Sequence, residues 1–214
     1  EANGGTIDMK ADAAITMMDN VMADSKGANI RLEAGDAITV ANVNAGTTGF
    51  VTLKGGAIGR TDNSKISAKE ASISATQIGR SDKPLELNVG VIAFKAANGI
   101  YVNNAQAATI GSVSDSDAKV NRVTDTLADG DLIQIPDGSA PETVSGLTST
   151  SGDIVLNNAG KITVDASVSG KNVTLNANKD ATDAASDLIV NAGKTVSATD
   201  GNVTLMATKS MTIN

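Results

Sequence analysis

The chain has 214 residues, of which 41% are hydrophobic and only 1% aromatic, and it carries a formal charge of −7. Histidine and cysteine are both absent, which excludes disulfides, thiolate metal sites, the common zinc sites and the usual Ser–His and Cys–His nucleophile systems. The acidic balance argues against a nucleic-acid or anionic-membrane partner, and no run approaches the roughly 18 apolar residues of a membrane-spanning helix.

The only rings are Phe50, Phe94 and Tyr101. A large globular core normally uses aromatic rings to fill its middle. A core of Ile, Val, Leu and Ala suits a narrow, uniform cross-section instead.

The first apolar run is Ile7-Asp8-Met9-Lys10-Ala11, followed by Ile15-Thr16-Met17. The second is Ile30-Arg31-Leu32-Glu33-Ala34, followed by Ile38-Thr39-Val40. Apolar residues alternate with polar ones, as a strand with one buried face requires. Between the runs lie Asn, Asp, Gly, Lys and Ser, which turn a chain at little cost. Within each copy the two runs begin eight residues apart, and the later copies keep that offset, 154 to 162 and 203 to 211. From copy to copy the step is 23 (7 to 30), then 21 (30 to 51), then 22 (51 to 73).

Strand groups at this period predict a parallel β-helix with about three short strands per coil, stacked at roughly 4.8 Å. A period near 21 gives about ten coils and a rod on the order of 50 Å long. The predicted core contains Ile30, Leu32, Ile38, Val40, Ile154, Leu156, Ile162, Val164, Val173, Leu175, Val203 and Leu205. No six-residue period favours the left-handed hexapeptide helix, and few Asn-Gly or Asp-Gly turns favour a sandwich of hairpins.

Farther along, Ala57-Ile58-Gly59-Arg60-Thr61-Asp62 returns twenty residues later as Gln77-Ile78-Gly79-Arg80-Ser81-Asp82. One coil apart, the two segments are expected to lie above one another. The pattern weakens between Ser112 and Ser149, where Asp115, Asp117, Asp125, Asp129, Asp131 and Asp137 gather with Pro136 and Pro141. That stretch reads as an imperfect coil with long excursions, or a flap on one face. A smaller irregularity spans Asn178 to Ser186. The organisation expected is therefore coils over 1–111, an irregular coil or insertion over 112–150, and coils again over 151–214, in one continuous solenoid. Both ends fall within or beside a strand pattern, at Thr6-Ile7 and at Met211-Thr212-Ile213, so the chain reads as a piece of something longer.

The phrases Gly27-Ala28-Asn29-Ile30-Arg31-Leu32-Glu33-Ala34, Ile78-Gly79-Arg80-Ser81-Asp82-Lys83-Pro84-Leu85 and Gly99-Ile100-Tyr101-Val102 resemble those of filamentous-haemagglutinin-type bacterial adhesins. The similarity covers most of the chain except 112–149, and its motifs are degenerate. It implies a right-handed β-helix shaft, export to the bacterial surface or the extracellular space, and a role in adhesion or in carrying a distal domain. Partners implied are the neighbouring coils of the same chain and a host-surface, cell-surface or glycan ligand.

Few residues offer chemistry. Arg60, Asp62, Arg80 and Asp82 form the best constellation, since a β-helix polysaccharide lyase or hydrolase works with carboxylates and a basic residue. The competing reading is a column of surface ion pairs. The acidic residues of 115–137 offer oxygens for calcium, but no Gly-Gly-x-Gly-x-Asp repeat accompanies them, and solvated loop is the favoured reading. Met17 is expected in the core beside Ile15, with Met18 and Met22 near a turn. Asn103, Asn104, Asn157, Asn158 and Asn176 sit at strand ends, where stacked amides hydrogen-bond along a solenoid. The sequence thus predicts a non-catalytic shaft with no catalytic residues, cofactor or metal. A self-assembling filament and a lyase are the alternatives. End-to-end association is expected wherever a strand edge is left bare.

Overall fold

The computed structural model describes residues 5–123, 132–135, 142–177 and 186–214. Among them every regular element is a strand. The chain winds through parallel strands, each pairing with its counterpart one turn below and one turn above. One column of inward side chains runs Ile7, Ile30, Val51, Ala71, Ile92, Ile110, Val164, Val190 and Ile213, which marks nine turns. A second runs Met9, Leu32, Leu53, Ile73, Phe94, Leu147, Val168 and Val196. A third runs Ile15, Ile38, Ile58, Ile78, Ile100, Ile154, Val173 and Val203. At the usual strand spacing nine turns make a rod about 40 Å long.

The alternation seen in the sequence decides which side chains enter. Ile30, Leu32, Ile38, Leu156 and Val173 are all fully buried, each stabilising by about 1.5–3 kcal/mol relative to exposure. Polar residues between them face out, and Met17 is buried while Met18 and Met22 are exposed. Each early turn carries three strands. The first turn uses Ile7–Ala11, Ile15–Thr16 and Met22–Asp24, which form a broad first face, a second and a third.

Three expectations need correction. Val51 pairs with Ala71, not Ile73, so that step is 20 residues. Ala71 and Ile73 both face inward, and an alternating pattern cannot fix register to better than two residues. The eight-residue offset also changes meaning along the chain. Ile7 to Ile15 runs from the first column to the third, whereas Ile154 stands in the third and Ile162 pairs with Leu188 at the start of the first face. Finally, Val203 is 42% exposed and Leu205 only partly buried, because among the described residues their strand pairs on one side only.

The first face is interrupted once. Ile92 and Phe94 are separated only by Ala93, but their partners Ile110 and Leu147 are separated by residues 111–146. The chain leaves the solenoid in mid-strand and returns to the same strand. In between, Ser112–Ser114 pairs antiparallel with Thr143–Ser145, and Val120–Val123 with Leu132–Ile135. Gly146 forms one foot of this arm at φ +70°, where a Cβ would strike the carbonyl oxygen of Ser167.

The arm lies back over the outer side of the first face. Val113 and Val144 pack with Ala93 against Phe50 and Val91. Lower down, Asn29 Nδ2 donates to the Lys119 carbonyl (2.9 Å) and the Asn121 amide donates to Thr6 Oγ1 (2.8 Å). Asp8 and Arg31 face outward by alternation, yet their side chains are only 4% and 16% exposed.

Candidate functional site

Arg60 and Arg80 do not form a column. Ala57 stacks on Gln77 and Ile58 on Ile78, as the internal echo predicts, but the ladder stops there. Gly79 takes φ +60°, a conformation in which a Cβ would meet the Tyr101 carbonyl. The chain then closes a tight turn in which the amides of Arg80 and Lys83 each donate to the other's carbonyl, both at 3.1 Å. Arg80 therefore projects from a loop, with Nε 3.0 Å from Asp82 Oδ1, and both side chains are mostly exposed.

Arg60 does something different. Its side chain is 14% exposed, and its guanidinium donates to the carbonyls of Pro84 (2.6 Å), Thr61 (3.0 Å) and Asp62 (2.8 Å). It braces one turn of the solenoid against the loop of the next. Asp62 turns away from it to Lys83, 2.6 Å from Nζ. The hydrogen bond from Lys83 holds the Asp62 carboxyl below its ordinary range, and the one from Arg80 does the same for Asp82. Both carboxyls are thus ionised at neutral pH, the wrong state for a general acid.

Asp115 and Asp117 lie on the described part of the arm. Asp125, Asp129, Asp131 and Asp137 lie outside the described residues, as do Asp180 and Asp183. Asp115 sits beneath the arm among Arg31, Lys54, Glu142 and the hydroxyls of Thr52, Ser72 and Ser74. Burial pushes its carboxyl above the ordinary range, opposed by a backbone hydrogen bond from Glu142 and by the charge of Arg31, while the negative charge of Glu142 adds to the rise. Among the described residues no three acidic groups converge as metal ligands.

The asparagines form two ladders. Asn103, Asn157 and Asn176 stack on the outside, each amide donating one turn back, with Asn103 Nδ2 ending on Glu86 Oε1 (2.7 Å). Asn104 and Asn158 are fully buried and continue the inward column Ala23, Val43, Ile66, Leu87. Asn104 Nδ2 donates to Asn158 Oδ1 at 2.8 Å. Both ladders serve the architecture.

A concavity of about 410 Å³ lies elsewhere, on the corner between the third face and the next first face. In the second turn residues 45–49 bulge between Asn44 and Phe50, whereas in the third only Ala68 and Lys69 separate their partners Ser67 and Glu70. The third and fourth turns run straight through this corner as the long strands Ile66–Ala75 and Leu85–Ala96. Bends return at residues 105–107. The result is a trench two turns wide. The sequence holds its signal as a shortened spacing, legible only once the register of four turns is known. No protein-family model, curated protein or solved structure matches this chain.

Proposed function

We propose that this chain is a non-catalytic shaft segment of a large secreted or surface-anchored bacterial adhesin, holding a binding surface or a distal domain away from the cell. The observation that carries the reading is the unbroken stacking of nine turns around continuous aliphatic columns. A parallel stack of this kind is stiff along its axis and extends by repetition. The resemblance of the repeat phrases to filamentous-haemagglutinin-type adhesins supplies the extracellular setting. The pairing of Asp62 and Asp82 with cations speaks against acid catalysis at the one constellation with catalytic residue types.

Incubating the protein with acidic and neutral polysaccharides tests this directly. No new reducing or unsaturated ends are expected. Turnover that is lost in Arg60→Ala or Arg80→Ala would replace the shaft with a lyase or hydrolase.

A further inference from the structure

We infer that the trench across the third and fourth turns is a binding site for a neutral, extended glycan segment. The inference stands apart from the shaft reading, since a shaft without a ligand would still be a shaft.

The trench has walls and a floor of different origin. The bulge carrying Gly46 and Thr47 forms one wall, and the bend carrying Gln106 forms the other. Three strand spacings separate the walls, roughly 14 Å between backbones. The floor lies low because Ala68 and Gly90 stand at the corner and add little bulk, and a Cβ on Gly90 would approach the Lys69 carbonyl at 3.2 Å. A volume near 410 Å³ falls within the range of small-ligand sites, about 300–1,000 Å³.

The chemistry of the lining is that of hydroxyl and amide groups. Asn44, Thr47, Ser67, Asn88 and Gln106 supply it. Two of the amides are already committed. Asn44 bonds to Asp24 and to the Gly46 amide, and the Gln106 amide, assigned by its neighbours, turns its oxygen to the amides of Val89 and Gly90. Thr47, Ser67 and Asn88 make no side-chain hydrogen bond within the described residues. Ser67 and Asn88 are neighbours on adjacent turns, so their free donors and acceptors repeat at one strand spacing, about 4.8 Å.

The one cation at the rim, Lys69, is 3.0 Å from Glu70 and lies over the Phe50 ring at 5.2 Å. That pairing cancels the local charge. A carboxylated or sulfated chain gains nothing there, and with Phe50 covered by Lys69 and outside the lining, an apolar ligand has no ring to pack on. A hydroxyl-rich neutral chain meets matching donors and acceptors. The trench follows two straight strands, which suits a ribbon-like β-1,4-linked glycan and not a coiled α-1,4-linked one. Without an aromatic platform each site binds weakly, and useful attachment then comes from many copies acting together.

The test is an amide-resolved NMR titration of the whole protein with cellotetraose, chitotetraose, maltotetraose and, as a control, an Asn- and Ser-rich extended peptide. Saturable shifts are expected at Ser67, Asn88, Gly90 and Gln106 with one or both β-linked probes, and weaker shifts with maltotetraose. The double variant Ser67→Ala/Asn88→Ala, altered only at outward positions, should bind about three- to tenfold more weakly for each hydrogen bond lost. Absence of shifts with all three sugars would overturn the site. So would equal binding of maltotetraose, shifts that survive the double variant, or shifts seen only with an Asn- and Ser-rich extended peptide.

Discussion

The buried amide pair offers a sharp test of how this solenoid tolerates polarity in its core. Asn104 is fully buried. Its Oδ1 accepts from the Val89 amide at 2.9 Å, and its Nδ2 donates to the Gln106 carbonyl and to Asn158 Oδ1, both at 2.8 Å. Asn104→Ala leaves the Gln106 carbonyl and Asn158 Oδ1 without this partner, while the Val89 amide keeps the Gln106 side-chain oxygen. At about 1–3 kcal/mol for each buried group orphaned, even the low end puts the cost at about 2 kcal/mol. Asn158→Ala removes the bonds from its Nδ2 to the carbonyls of Gly160 (2.9 Å) and Lys161 (3.2 Å) and also breaks the link to Asn104. In the double variant the shared bond is lost only once. The double cost should therefore fall short of the sum by about 1 kcal/mol, within the range found for side chains in contact. Urea titrations of the four proteins, compared by midpoint at constant slope, measure this. Additivity within about 0.3–0.5 kcal/mol would refute the reasoning and reduce the ladder to two independent turn residues.

Other expectations follow from the same structure. Leu156→Asp places a charge in a column with no partner for it and should cost several kcal/mol, read from the same denaturation curves. Removing residues 112–146 leaves Gly111 between Ile110 and Leu147, in the place Ala93 holds between Ile92 and Phe94. The rod should stay folded, and loss of its β circular-dichroism signal would show that the arm is part of the core. Arg60→Ala should destabilise by about 1–3 kcal/mol by orphaning part-buried carbonyls, whereas Arg80→Ala should change stability by less than about 0.5 kcal/mol. Asp115 binds its proton more tightly folded than unfolded. Its contribution is then present below the ordinary carboxylate pKa and is lost as pH rises through the raised value. Asp115→Asn should raise the melting temperature at neutral pH and leave it unchanged well below that range, and a uniform shift at all pH values would contradict the assignment.

Much of the fold was legible in the residues themselves. Alternation marks Ile154, Leu156, Ile162 and Val164 as inward, and all four are fully buried. Turn-forming residues between the runs mark the corners, and the recurrence near 20–23 residues marks the coil. The absence of histidine and cysteine removes whole classes of chemistry by composition alone. These features are local, so a linear chain displays them.

Register, turn-to-turn geometry and burial from outside were not legible. An alternating strand can slip by two residues without exposing a side chain, which is why Val51 meets Ala71 while the sequence points to Ile73. Arg60 and Arg80 occupy equivalent places in the echo, but Gly79 sends the second into a loop while the first braces two turns. Val203 has the pattern of a core residue and lies exposed because burial depends on a neighbouring strand. Asp8 and Arg31 look solvated until the arm covers them. The trench arises from the absence of three residues at one corner in two successive turns. Each of these depends on what segments distant along the chain place above, below or outside a given position. The sequence alone specifies which side of a strand faces the core, but only the packed turns decide what that side meets.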